Sequence, residues 1–235
     1  MPNDYFKFKL FTIEQNDCAM KVGTDGCLLG GWFNCTGSKR ILDIGCGTGL
    51  IAIMAAQRCD AEITGIEIDS KAARQARVNA DNSPWGNRIE IINGDLLEYT
   101  SEKHFDTIVS NPPYFINSLK CDNTSRTLAR HSDSLNSRTF FKKCSEILSE
   151  DGRISIVIPC DIIDEWKDAA MEHNLYPTRT TFIRTTPKKA PKRVLIEFGY
   201  GTQKESEENI LTLEFTHGEY SDDAKKILSK FYLKL

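Results

Sequence analysis

The sequence predicts an α/β fold built on an open, mostly parallel sheet, and three observations predict it. From residue 40 onward, short apolar runs alternate with helix-length segments. A glycine-rich turn stands directly between the first such run and the first helix. Near the end of the chain two β runs follow one another with no helix between them, which makes them most simply antiparallel.

Each element has its own reason. Arg40–Ile44 is a short apolar strand, and Leu50–Arg58 is an alanine-rich helix. Residues 62–67 form a second strand. Residues 71–82 form a helix with Ala72, Ala73, Ala76 and Ala80 on one face. Strands follow at 89–92 and 105–110. The helix over 137–148 turns Phe140, Phe141, Cys144, Ile147 and Leu148 inward. A turn at Glu150-Asp-Gly152 leads to a strand over 153–158, then a helix over 161–173. The terminal β runs are 179–184 and 194–199, and 201–209 reads as a polar loop. Ser221-Asp-Asp223 starts a last helix through about Leu233, with carboxylates at its positive end. Ahead of the sheet, a short strand and a helix over 25–33 are expected. The chain, 1–235, therefore reads as a single Rossmann-like domain: an N-terminal segment 1–38, a core 39–200, and a C-terminal loop and helix 201–235.

Composition bounds the function. A chain of 235 residues with 40% hydrophobic and 27% charged residues is ordinary for a globular protein with its own core. The net charge of −3 and a pI near 5.9 give no overall attraction for phosphate, so contact with a nucleic acid needs a local basic patch. The eight cysteines form no C-x-x-C pair and the four histidines lie far apart, so no metal is expected. With no signal sequence after Met-Pro-Asn-Asp, reduced thiols and a cytoplasmic location are expected. No run of 18 apolar residues predicts a membrane span.

The first chemical motif is Asp43-Ile-Gly-Cys-Gly-Thr-Gly49. A glycine turn between strand and helix lets the backbone approach a nucleotide-type ligand and offers it the helix N–H groups. The spacing is G-x-G-x-G, not the G-x-G-x-x-G of a dinucleotide loop. A carboxylate at Asp43 repels a pyrophosphate but suits an ammonium and a sulfonium, which points to S-adenosylmethionine. Glu67 ends the second strand, where it can accept from ribose hydroxyls, and Asp95 follows the third, placed for an adenine amino group. The expected cofactor set is Asp43, Gly45, Cys46, Gly47, Gly49, Glu67, Ile68, Asp95, Leu96 and Asn111, with Lys21 and Thr24 from the N-terminal segment. Thr24 and Asp25 are read as capping the following helix and closing one wall of the pocket, and Lys21 has the plainer alternative of a solvated lysine.

The second motif, Asn111-Pro-Pro-Tyr114, follows the fourth strand at once. Two prolines end the strand and hold the chain extended without N–H donors. The Pro112 carbonyl and the Asn111 side-chain oxygen are then two acceptors facing one –NH₂ group. Binding both hydrogens localises the nitrogen lone pair for attack on a methyl group, so catalysis is positioning and electrostatics without a strong base. Asn111, Pro112, Pro113 and Tyr114 form the expected catalytic corner, with Tyr114 and Phe115 stacking on a flat substrate. A basic stretch, Thr185 to Arg193, carries Lys188, Lys189, Lys192 and Arg193 with no acid and reads either as a phosphate-contacting loop or as a solvated hairpin tip. A weaker set, Lys120, Arg126, Arg130, His131 and Arg138, follows the catalytic corner.

With these residues stated, the chain resembles the class I methyltransferases that carry N-P-P-Y. More narrowly it resembles the bacterial tRNA1(Val) (adenine(37)-N6)-methyltransferase family, through Phe8-Lys-Leu-Phe-Thr12, Cys18-Ala-Met-Lys-Val-Gly-Thr-Asp-Gly26 with Leu28-Leu-Gly30, and Asn82-Ser-Pro-Trp85. Asn111-Pro-Pro-Tyr-Phe115, Arg130-His131 and Tyr232-Leu233 complete the match. The resemblance implies a seven-stranded sheet with a reversed last strand, a tRNA partner, methylation of an adenine beside the anticodon, and S-adenosylhomocysteine as product. A monomer is expected. Two other readings stay open: methylation of a glutamine side chain in a protein, and cofactor binding without catalysis.

Overall fold

The computed structural model describes residues 3–16, 18, 20–112, 135–201, 206–216 and 218–235. An N-terminal hairpin pairs β1 (Tyr5–Lys7) with β2 (Thr12–Glu14) and leads to α1 (Thr24–Trp32). The core follows as β3 (Arg40–Ile44), α2 (Leu50–Arg58), β4 (Glu62–Glu67), α3 (Ser70–Asp81), β5 (Ile89–Asn93) and β6 (Phe105–Ser110). It continues with α4 (Ser137–Ile147), β7 (Leu148–Pro159), α5 (Ile163–Met171), β8 (Leu175–Arg184) and β9 (Arg193–Tyr200). The chain closes with β10 (Glu207–Thr212), a small hairpin of β11 (Glu214–Thr216) and β12 (Glu219–Tyr220), and α6 (Asp222–Leu228).

The central sheet has the order β10-β8-β9-β7-β6-β3-β4-β5. Strands β5, β4, β3, β6 and β7 run parallel, and β9 is antiparallel to both β7 and β8. This is the seven-stranded sheet that the resemblance implies, with its last strand reversed. An eighth strand, β10, adds in parallel to the edge of β8 over six residue pairs. Part of it falls in the stretch expected to be a polar loop. An edge strand needs ladder hydrogen bonds on one side only, and here Leu211 alone is buried, so hydropathy carried little signal.

Both faces of the sheet are covered, which is why β3 is buried almost throughout. On one face α1, α2 and α6 pack through Leu28, Leu29, Ala52, Ile53 and Leu228 against Ile41, Ile63, Val109 and Leu195, and the alanines of α3 meet Ile91. On the other, α4 and α5 bury Phe140, Phe141, Ile147, Trp166 and Ala170 against Leu42, Ile108, Ile156 and Phe198. Phe141 lies edge-on to Phe140, Trp166 and Phe198 with ring centroids 5.3, 5.8 and 4.9 Å away. Truncating such a ring to alanine costs about 3–5 kcal/mol.

Several boundaries differ from expectation. The expected turn at Glu150-Asp-Gly152 is a bulge inside β7: Phe105 pairs with Leu148 and Thr107 with Arg153, so four residues oppose one. The last helix ends at Leu228 rather than near Leu233, because Phe231 turns back to donate its N–H to the Leu228 carbonyl and buries its ring. The N-terminal segment is a hairpin, not one strand. Its Phe8 stacks on Phe11 with centroids 4.5 Å apart, and both rings belong to a cluster with Trp85 and Tyr232. Residues far apart in sequence that carry the narrow resemblance thus share one aromatic cluster.

Candidate cofactor and substrate site

The glycine turn sits where β3 ends. Gly45, Gly47 and Gly49 all have positive φ, at 65°, 54° and 79°, a region that side chains other than glycine rarely enter. A Cβ added at Gly45 or Gly47 would meet nothing within 4 Å, so the turn presents open backbone on that side. Its other side is pinned: the N–H groups of Gly45 and Cys46 both donate to the Ile66 carbonyl at 2.9 and 3.1 Å.

Three carboxylates stand at or just after the ends of β3, β4 and β5. Glu67, at the tip of β4, accepts from Gly47 N–H at 2.9 Å through one oxygen and from Asp69 N–H at 2.9 Å through the other. Each oxygen keeps one lone pair for a further donor. Asp95 accepts from Leu97 N–H at 2.9 Å and caps a short turn after β5. Asp43 is fully buried; its Oδ2 accepts from Ala52 N–H in the first turn of α2, while its Oδ1 has no partner among the described residues. Burial pushes the Asp43 carboxyl up to about 7, against the lowering by the Ala52 bond and with a further upward push from Glu67. A buried acceptor without a donor at the end of β3, next to an open glycine turn, fits a cationic ligand.

The remaining cofactor candidates divide. Ile68 is 38% exposed beside Glu67. Leu96 instead buries its side chain in the core with Leu42 and Ile66. Cys46 packs its buried sulfur against Gly65, where an added Cβ would lie 3.0 Å from it, and burial pushes its thiol up. Lys21 donates to the Asn3 carbonyl at 3.3 Å and stands 4.0 Å from Asp4. The expectation that Thr24 and Asp25 cap α1 is not met. Gly23 is the capping residue and makes no side-chain bond, because Thr24 already lies inside the first turn. Asp25 accepts from Arg193 Nε at 2.9 Å instead.

The substrate corner stands on the neighbouring strand. Asn111 is half-buried and Pro112 buried at the tip of β6, and the N-terminal part of α1 abuts them: a Cβ at Gly26 would lie 4.0 Å from Asn111 Nδ2. Pro113, Tyr114, Phe115 and Arg130 lie outside the described residues, as do Lys120, Arg126 and His131. Of the basic stretch, Lys188, Lys189 and Lys192 are exposed on the loop joining β8 to β9, at the same end of the sheet as the glycine turn. Arg193 departs from that set, since its ion pair with Asp25 ties the start of β9 to α1.

Sequence reasoning missed the residues that join the two motifs. Ser110 Oγ donates to the Ile44 carbonyl at 2.8 Å, fixing the end of β6 to the start of the glycine turn. Asn93 Nδ2 donates to the Glu67 and Ile68 carbonyls at 2.9 and 3.1 Å, holding the tip of β4. The one signal was the polar residue, Ser110 or Asn93, that closes each strand after apolar ones.

With this geometry in hand, comparisons place the chain. A family model, the methyltransferase small domain, matches residues 22–165. A protein of Bacteroides fragilis named tRNA1(Val) (adenine(37)-N6)-methyltransferase is 48% identical across the whole of both chains. The chain belongs to that family. Proteins of the same name from Aeromonas hydrophila, 41% identical over 99% of each chain, and from Trichodesmium erythraeum, 38% identical over all of each, agree. Solved structures support the fold. A predicted O-methyltransferase from Agrobacterium tumefaciens superposes with a TM-score of 0.69 at 20% identity, over 88% of this chain and 96% of its own. A glycopeptide N-methyltransferase solved with S-adenosylmethionine superposes at 0.57 and 13% identity, over 77% of this chain and all of its own. The chain is thus an S-adenosylmethionine-dependent methyltransferase with the class I fold. Among the described residues no group of three or more His, Cys, Asp or Glu is placed to hold a metal, and no helix is long and apolar enough to cross a membrane.

Proposed function

We propose that the chain methylates the N6 amino group of an adenine in tRNA, adenine 37 beside the anticodon of tRNA1(Val). The observation that carries this reading is the end-to-end match, at 48% identity, to a protein named for that reaction. It is supported by the placement of Asn111 and Pro112 at the tip of the strand that Ser110 ties to the glycine turn.

Asp43, Gly45, Cys46, Gly47, Gly49, Glu67, Ile68 and Asp95 line the cofactor side, Asp43 supplying charge from beneath and Glu67 and Asp95 accepting hydrogen bonds. S-adenosylmethionine supplies the electrophilic methyl group, and S-adenosylhomocysteine is the product. The Asn111 oxygen and the Pro112 carbonyl accept from the substrate amine and orient its lone pair; the methylated nitrogen, positively charged and acidic, then releases its extra proton to water, so no residue need act as a strong base. Pro113 stiffens the corner, and Tyr114 and Phe115 stack on the base. Lys188, Lys189 and Lys192 contact tRNA phosphates, Arg130 contributes from the segment after the corner, and Arg193 acts through α1. The enzyme works as a monomer, without a metal, in the cytoplasm.

The reading is tested by incubating the protein with methyl-labelled cofactor and bulk tRNA from a strain lacking the gene, then digesting the RNA to nucleosides. Label in N6-methyladenosine is expected. Label confined to protein glutamine would overturn the tRNA reading.

A further inference from the structure

Asn79 lies one helical turn beyond Ala76 on α3, and both face the glycine turn. It is 2% exposed, in a helix whose other buried residues are mostly alanines. Its carboxamide makes three hydrogen bonds. Oδ1 accepts from Glu14 N–H at 3.0 Å. Nδ2 donates to the Glu14 carbonyl at 2.9 Å and to the Thr48 carbonyl at 2.9 Å. Asn79 therefore pairs with the Glu14 peptide as a neighbouring strand would, and spends its second N–H on the peptide between Gly47 and Gly49.

The bond to Thr48 acts on the part of the turn that matters. Gly47, the preceding residue, gives its N–H to Glu67, so the orientation of the 47–49 backbone sets where that carboxylate points. The bond pair to Glu14 carries the same anchor into the N-terminal segment. Gln15 next to it accepts from Val22 N–H at 2.8 Å, just ahead of α1, and α1 abuts Asn111. One buried side chain thus links the cofactor turn to the segment that leads to the substrate corner.

We propose that Asn79 is a positioning residue for cofactor binding: it holds the Thr48 peptide so that the glycine turn keeps its open face, and it locks the N-terminal segment against that turn. The proposal rests on the glycine turn being the cofactor loop and not on the identity of the methyl acceptor. A carboxamide suits the task because it offers two donors and an acceptor in one plane. A carboxylate of the same size offers no donor and faces two carbonyl oxygens.

The test compares Asn79→Asp and the milder Asn79→Ser with the parent, using full-length protein. Affinity for S-adenosylhomocysteine is measured directly without RNA, together with the KM values for S-adenosylmethionine and tRNA, kcat, and the unfolding temperature. Asn79→Asp is expected to weaken S-adenosylhomocysteine binding and raise the S-adenosylmethionine KM by about tenfold or more, the scale of one or two buried hydrogen bonds lost with their partners left unpaired. The tRNA KM and the kcat at saturating cofactor should stay within about threefold, since the three bonds of its carboxamide go to Glu14 and Thr48. Asn79→Ser, which keeps one donor, should fall between. A folded variant with parental cofactor affinity would overturn the proposal. So would variants whose only defect is a lower unfolding temperature, the result of a purely structural asparagine. If Asn79→Asp does not fold, Asn79→Ser decides by the same readouts. Loss of tRNA methylation with intact cofactor binding in the parent would strike the tRNA reading and leave this inference standing.

Discussion

Asp43 sits where charge is hardest to keep, and this has a pH signature. Its carboxyl is raised to about 7 mainly by burial, so between the ordinary carboxylate range near 4 and pH 7 the folded protein carries a proton that the unfolded chain has lost. Stability contributed by that proton is full at low pH and falls as pH rises through this window. A cation bound above Asp43 reverses the preference and favours the carboxylate. S-adenosylmethionine binding at pH 7 should therefore release protons, seen as acidification of a weakly buffered solution carrying an indicator dye, and affinity should rise from pH 6 to 8. Binding without proton release would mean that Asp43 is not beneath the cofactor. Asn111→Ala should leave cofactor affinity within about threefold and lower kcat by roughly a hundredfold or more, the scale of one lost positioned polar group. Unchanged methyl transfer would remove Asn111 from the chemistry. Away from the site, Cys59 is held below the ordinary thiol range by the hydrogen bond from Cys35, then by the Ala61 N–H and the nearby Arg88 and Arg58 guanidiniums, against its own burial. Cys59 should be the first of the described cysteines to be alkylated by iodoacetamide at neutral pH. Peptide mapping in which Cys144 or Cys27 reacted first would contradict this.

At the scale of elements, α1 is the piece on which both sides of the site lean. It is wedged so closely that a Cβ at Gly31 would lie 2.6 Å from the Ile227 side chain and 2.7 Å from the Ile227 carbonyl oxygen of α6. Because part of that clash is with backbone, Gly31→Ala should destabilise by about 1–3 kcal/mol, read as a lower unfolding temperature. The Asp25–Arg193 pair anchors the other end of α1 to β9. The loop between β8 and β9 is left with Lys188, Lys189 and Lys192 as its solvent-facing cations. Reversing those three to glutamate should weaken tRNA binding and flatten its dependence on salt by about one phosphate contact per lysine engaged. Equal salt slopes for variant and parent would assign the loop to solvent alone.

At the scale of the whole molecule, the parallel core was readable because β3 and the C-terminal parts of β6 and β7 carry short apolar runs and α3 keeps a clear period. The glycine turn was readable because its conformation admits little else. What escaped had weak local signal. Strand β10 buries a single leucine, and the hairpin β1–β2 has only three residues a side. The contacts that join the site, Ser110 to Ile44, Asn93 to Glu67 and Asn79 to Glu14 and Thr48, span from 26 to 66 residues and obey no period. The pairing of Arg193 with Asp25 spans 168 residues and takes one cation out of a run that reads as uniformly basic. Local composition identifies the ligand class, whereas the arrangement that orders the site is a product of tertiary packing.

The claim on which the rest depends is that the acidic strand ends and the open glycine turn form a pocket for a cationic sulfonium nucleoside. Isothermal titration of the RNA-free protein with S-adenosylmethionine measures this directly. Saturable binding at one site per chain is expected, and it should weaken when Glu67 is replaced by alanine. A parent protein that produced no binding heat, with neither S-adenosylmethionine nor S-adenosylhomocysteine, at any temperature tried, would contradict it.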